Sequence, residues 1–161
     1  MFRSSGKSNA VKAYMLAART APSTAVLNGV GALLHNTGSE DIYVTQVSWC
    51  NAASTAETLI MLRTSTRGTG GTVTSGSRQN DCEYETAPTN VVQVDVGGFV
   101  GEPTIISSIP IARFNFAGQV GEGFIMPFPD GLAVPKDTGL AMCSGTTGAL
   151  VSADVTFWWR E

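Results

Sequence analysis

Few of the residue types that perform catalysis or bind metals occur in this sequence. His35 is the only histidine, and the three cysteines, Cys50, Cys82 and Cys143, lie far apart with no C-x-x-C pair. A single histidine excludes a multi-histidine metal site, and separated cysteines in odd number argue against a zinc site or a disulfide framework. We therefore expect a structural His35, with a ligand or interface role as the alternative, and free thiols in a chain folded in a reducing cytosol.

Three other patterns resemble binding motifs but lack their context. The glycines of Thr69–Thr72 are not followed by the Lys-Ser/Thr pair of a P-loop, and those of Gly118–Gly123 are in the wrong order for a dinucleotide fingerprint. The alternating carboxylates Asp81, Glu83 and Glu85 would share one face of a strand. They could bind Ca²⁺, but a solvated or subunit-facing strand is the simpler interpretation. Since no Gly-x-Ser-x-Gly motif is present either, we predict no enzyme activity, no catalytic residues, no metal and no cofactor.

Charge is scarce and unevenly placed. Charged residues make up 14% of the chain and the net charge is -3, so no global basic field for nucleic acid exists. Two basic segments, Met1–Lys12 and Arg63–Arg78, resemble arms that dock on an acidic neighbour, although simple solvated loops are the alternative. The candidate contact residues are Arg3, Lys7, Lys12, Arg63, Arg67 and Arg78.

The elements that must position these residues are short strands. Alternating or apolar runs between turn signals predict an all-β, jelly-roll-like antiparallel sandwich. The runs are Ile42–Trp49, Leu59–Arg63, Val91–Val96, Ile105–Ile111, Ala112–Phe116, Phe124–Phe128 and Val151–Trp159. Asn9–Arg19 is the one helical candidate, and the Gly, Ser and Thr residues of Thr64–Asn80 predict a long loop. No apolar run approaches the length of a membrane helix, and no signal peptide is evident.

Period-2 alternation makes specific predictions about faces. In the last strand, Val151, Ala153, Val155, Phe157 and Trp159 should face one way. Trp158 is then opposite Trp159, so one of the two should be exposed or lie in an interface. Phe157, Trp158 and Trp159 are thus candidates for the core or for an interface. In the strand from Ile42, the same rule places Ile42 and Val44 on one face, and Tyr43, Val47 and Trp49 on the other.

The C-terminal third carries a family resemblance. Phe124–Met142, a Ser/Gly/Thr turn and Ala149–Glu161 give a Pro-x-x-x-Gly-Leu-x-Val segment that leads into a closing hairpin with an alternating last strand. Together with Asp41–Leu62, this resembles the jelly-roll cement or decoration proteins of tailed-bacteriophage capsids. The resemblance implies a flexible arm over residues 1–12 and one jelly-roll domain over 13–161.

The resemblance also implies a function and partners. Such proteins form homotrimers at threefold or quasi-threefold positions and bridge subunits of the major capsid protein. We therefore expect a structural virion protein on the capsid surface, assembled in the host cytoplasm, without nucleic acid, membrane or small-molecule substrate. The alternative is a jelly-roll receptor-binding or tail-tip protein that recognises a host surface glycan. A glycan-active enzyme, a third class, would need two carboxylates facing each other in a cleft.

Overall fold

The computed structural model describes residues 13–20, 29–74, 78–79, 91–146 and 152–161. These residues contain no helix, and their strands form two antiparallel sheets packed face to face. The predicted all-β sandwich is therefore confirmed. A membrane-crossing helix, long and apolar, is not found in the part of the chain described.

Eleven strands are defined within the described residues. They are β1 (Ala13–Thr20), β2 (Val30–His35), β3 (Ile42–Asn51), β4 (Glu57–Thr64), β5 (Thr69–Thr74), β6 (Arg78–Gln79), β7 (Val91–Gly101), β8 (Ala112–Phe116), β9 (Gly123–Val134), β10 (Gly139–Ser144) and β11 (Ala153–Arg160). The first sheet has the order β6-β1-β11-β3-β9, and the second has the order β5-β7-β2-β10-β4-β8.

The last strand follows the predicted alternation from Ala153 to Trp159, and Val151 lies outside the described residues. Ala153, Val155, Phe157 and Trp159 are buried between the sheets, and the residues between them are half-buried or exposed. β11 lies between β1 and β3 in the first sheet, and the face that carries these buried residues packs against the second sheet. The sequence of β11 alternates because only one face of the strand is buried.

The predicted helix at Asn9–Arg19 is wrong over its described part, where β1 pairs with β11 from Ala13 to Thr20. Tyr14 and Leu16 are buried in the core. Eight paired residues and two core side chains outweigh a weak helical spacing, because tertiary packing overrides local propensity.

The predicted faces of β3 are also wrong, since Ile42, Val44, Val47 and Trp49 are all buried. Against β11, Trp159 pairs with Val44 and Trp158 pairs with Gln46, so Thr45 is an extra residue in β3. An extra residue in a strand reverses the alternation beyond it, so both halves of β3 turn their apolar side chains to the core.

Two loop assignments change as well. The stretch Thr64–Asn80 contains β5 and β6, which pair with β7 and β1. Conversely, Ile105–Ile111 is no strand: only Ile105 forms a bridge, to Thr64. Residues 107–110 leave the sheet, and the chain returns to it at Ile111. The Ile111 N–H donates to the Met61 carbonyl at 2.8 Å.

Candidate docking surface

The two sheets differ in how much of their outer surface is covered. In the second sheet, β2 and β10 are buried throughout, because Phe99 and Ile105 pack on the side away from the main core. In the first sheet, the side away from the core carries half-buried and exposed residues. We call this side of β1, β11, β3 and β9 the outer face.

The outer face consists of aligned rows of side chains. The registers of β1, β11, β3 and β9 define three of them: Met15, Trp158, Gln46 and Pro127; Ala17, Thr156, Ser48 and Ile125; and Arg19, Asp154, Cys50 and Gly123. The first two rows contain no charged residue. The centre of the face is therefore a nearly flat, uncharged surface of small polar and apolar groups, which is more typical of a protein contact than of a nucleic-acid site.

Charged groups occur at both ends of this face. Arg19 Nε and Nη2 donate to the two carboxylate oxygens of Asp154, each at 2.7 Å. The Arg19 guanidinium lowers the pKa of Asp154, mainly through these hydrogen bonds. At the other end, Arg160 lies 5.5 Å above the Tyr43 ring and donates to the Asp130 carbonyl at 2.9 Å. Both arginines are thus held in place by neighbours within the chain.

The adjacent tryptophans occupy different environments. Trp159 is 1% exposed and stacks on Tyr14, with ring centroids 5.7 Å apart, and Phe157 is fully buried beside it in the core. Trp158 is half-buried on the outer face, in the row between Met15 and Gln46. Of the three candidates for core or interface, Phe157 and Trp159 lie in the core and Trp158 is available to a partner.

Of the six predicted basic contact residues, the structure describes the side chains of two, Arg63 and Arg67. Arg3, Lys7 and Lys12 lie outside the described residues, as does the side chain of Arg78 in β6. Arg63, in β4, is half-buried and donates to the Ala133 carbonyl at 2.6 Å. Arg67 is exposed between β4 and β5. Their capsid contacts stay a prediction, and of the six residues only Arg67 has a side chain that is both described and exposed.

His35 ends β2 and is 7% exposed. Burial, and secondarily the charge of Arg67, lowers its pKa, while Asp137 acts in the opposite direction. Its Nδ1 atom has no hydrogen-bond partner among the described residues. The structural interpretation of His35 is consistent with this position at the end of a packed strand.

The remaining chemistry-bearing residues are dispersed. Cys50 is an exposed free thiol, and Cys143 is a buried one whose pKa is raised by burial. Cys82, Asp81, Glu83 and Glu85 lie outside the described residues. Within the described ranges, no three His, Cys, Asp or Glu residues converge to hold a metal ion.

The Gly118–Gly123 segment, whose glycines resemble those of a nucleotide motif, forms a hydrogen-bonded turn. Glu122 accepts hydrogen bonds from the N–H groups of Ala117, Gly118 and Gln119, at 3.0, 3.0 and 3.2 Å. These bonds lower the pKa of Glu122. The carboxylate thus accepts the backbone N–H groups of the β8–β9 turn, and these groups serve to hold the turn together.

A groove beside β9 was not anticipated from the sequence. It has a volume of about 490 Å³ and lies over Ser48, Cys50, Gly121 and Gly123, next to Ile125. Ile125 is 68% exposed. The signal that could have drawn attention to it is the pair Pro127 and Pro129, because proline in a strand marks the edge of a sheet.

No protein-family model matches the sequence, and neither does any curated protein or solved structure.

Proposed function

We propose that this chain is a structural jelly-roll protein that binds and bridges capsid subunits of a tailed bacteriophage, as a cement or decoration protein. The observation that carries the proposal is the strand order. One sheet contains β1-β11-β3-β9 and the other β2-β10-β4-β8, all with antiparallel neighbours. Two antiparallel sheets of four strands each are the arrangement of a jelly roll, an architecture of viral capsid and lectin domains.

The path of the chain between the sheets supports the jelly-roll assignment. β1, β2, β3 and β4 alternate between the two sheets, β4 and β8 are neighbours in one sheet, and β9, β10 and β11 alternate again. The segment β5 to β7 is an insertion between β4 and β8: β5 and β7 extend the second sheet beyond β2, and β6 extends the first sheet beyond β1.

The outer face supplies a surface suited to capsid binding. Its two uncharged rows, with Trp158 at the centre, can be covered by a protein partner without burying unpaired charge. Several copies, each contacting neighbouring capsid subunits, would stabilise the shell by multivalency without strong individual contacts. The predicted homotrimer would supply such copies.

Mixing purified protein with capsids that lack it tests the proposal. Thr156→Arg places a long, charged side chain at the centre of the outer face. The control Val100→Arg places the same side chain in β7, at a residue that is 89% exposed. We expect stoichiometric co-sedimentation of the wild type and of Val100→Arg, a reduction of about tenfold or more for Thr156→Arg, and equal melting temperatures for all three. Absence of wild-type binding would refute the proposed function, and equal binding of both variants would refute the role of the outer face.

A glycan-binding tail-tip protein remains the second candidate, because Trp158 is a half-exposed aromatic ring flanked by Gln46 and close to Thr156. Aromatic rings beside polar groups can stack on sugar rings. A glycan array distinguishes the two functions: saturable binding that is lost in Trp158→Ala, in a protein that does not bind capsids, would favour the glycan receptor.

A further inference from the structure

β9 forms one edge of the first sheet, and within the described residues no strand pairs with its outer side. The Asn51 N–H donates to the Glu122 carbonyl at 2.8 Å, which sets the phase of the ladder with β3. Antiparallel strands alternate residues that bond to their neighbour with residues that turn outward. Phe124 therefore directs its backbone groups to β3, and Gly123 and Ile125 direct theirs to the outside.

The stretch from Gly123 to Ile125 has a protruding side chain, Ile125, and a gap beside Gly123. Ile125 is 68% exposed, and the groove of about 490 Å³ lies beside it over Gly123. The gap is fixed by the backbone, since a Cβ atom at Gly123 would collide with the carbonyl oxygen of Trp49. A large apolar side chain thus lies two residues from a position that can carry no side chain.

We propose that β9 pairs with β9 of a second copy, antiparallel, about a two-fold axis at Phe124. In this register Gly123 of each copy lies opposite Ile125 of the other, and each Ile125 side chain enters the groove beside the other copy's Gly123. The outward N–H and C=O groups of these residues would form about four backbone hydrogen bonds across the axis. In this self-pairing one edge supplies both the protruding Ile125 side chain and the groove that receives it, which is why we assign the occupant as a second copy.

Charge and proline placement fit a closed dimer contact. No charged residue occurs from Gly123 to Pro129, so no like charges are brought together along the paired segment. Pro127 has no N–H to donate, and Pro129 has none either, so the pairing cannot extend along the whole of β9. A two-fold contact uses the same edge on both copies and therefore closes on itself. The inference is independent of the proposed capsid function.

Sedimentation equilibrium and light scattering test the contact. We expect the wild type to have twice the chain mass of 16.8 kDa, or another even multiple if the predicted threefold contact also forms. Ile125→Lys should halve the number of chains per particle, because it places a charge in the apolar groove. The matched control Val100→Lys, a residue in β7 that is 89% exposed, should leave the mass unchanged. A wild type of one or three chains, or an unchanged mass for Ile125→Lys, would overturn the proposal.

A backbone variant separates strand pairing from simple apolar contact. Ile125→Pro keeps an apolar ring but removes the outward N–H, as Pro127 already does along the same edge. We expect its dimer dissociation constant to rise at least about tenfold while its melting temperature at low concentration matches that of Ile125→Lys. Hydrogen exchange at the Ile125 amide should slow with protein concentration in the wild type. Exchange independent of concentration, or undiminished association of Ile125→Pro, would contradict β9 pairing.

Discussion

Exchanging the two neighbouring tryptophans for alanine, one at a time, tests the sandwich most directly. Trp159 is 1% exposed and stacks on Tyr14, whereas Trp158 is half-buried on the outer face. Loss of a buried Trp side chain costs about 3–5 kcal/mol, and at 2–4 °C per kcal/mol the melting temperature of Trp159→Ala should fall by about 6–20 °C. Trp158→Ala should cost only about 1 kcal/mol, close to the mean of point substitutions.

Thermal unfolding followed by far-ultraviolet circular dichroism measures both losses without depending on the tryptophan signal. Because domains have only about 5–15 kcal/mol of stability, Trp159→Phe provides a milder variant that keeps a ring in the core. Acrylamide quenching gives a second readout: Trp49 and Trp159 are buried, so Trp158→Ala should remove most of the quenchable fluorescence. Equal destabilisation by the two alanine variants, or a larger loss for Trp158→Ala, would refute the assignment of Trp159 to the core.

Three further predictions concern titratable groups. Glu122→Gln should lower the melting temperature at neutral pH, and the difference should disappear as pH falls through the lowered pKa of Glu122, because the carboxylate's hydrogen bonds stabilise only its charged form. Stability should decrease as pH falls through about 6.5, the unfolded pKa of histidine, because folding lowers the pKa of His35; His35→Gln should flatten this region of the profile. A thiol reagent applied to the folded protein should modify one residue fewer in Cys50→Ser and the same number in Cys143→Ser, since Cys50 is exposed and Cys143 is buried. A melting-temperature difference for Glu122→Gln that does not change with pH would contradict the first prediction. A stability profile that His35→Gln leaves unaltered would contradict the second, and reaction of Cys143 in the folded protein would contradict the third.

The sequence predicts the fold best where a strand is covered on one face only. β11 has the second sheet on one side and the open outer face on the other, so its alternation from Ala153 to Trp159 could be seen in the sequence. β2 and β10 are buried throughout and show no period. The faces of β3 could not be predicted, because the extra residue between Val44 and Gln46 is defined by pairing with β11 and β9. Both strands are far along the chain, so nothing near β3 in the sequence indicates the shift.

The candidate site was predictable in part for the same reason. Opposite faces for Trp158 and Trp159 follow from the period of a strand, whichever strands lie beside it. The Ile125 and Gly123 pair depends on β9 being an edge, and strand order comes from long-range pairing. Arg63 illustrates the opposite limit: its charge suggested docking, but its guanidinium is bound to the Ala133 carbonyl contributed by a distant part of the chain.

The outer face and the β9 edge belong to the same sheet, and this connects the two proposals. Pairing β9 across a two-fold axis would join two outer faces into one continuous surface. Trp158 lies on β11, two strands from the β9 edge, so five strand spacings of about 4.8 Å would separate the two Trp158 positions by about 24 Å across the strands. Its row meets β9 at Pro127, three residues from the axis, which adds about 20 Å along the strands and gives a separation of about 31 Å. A partner surface with matching two-fold repeats would then be contacted twice by one rigid sheet. If both proposals hold, Ile125→Lys should therefore weaken capsid binding although it lies at the margin of the outer face, whereas Thr156→Arg should weaken it without dissociating the dimer.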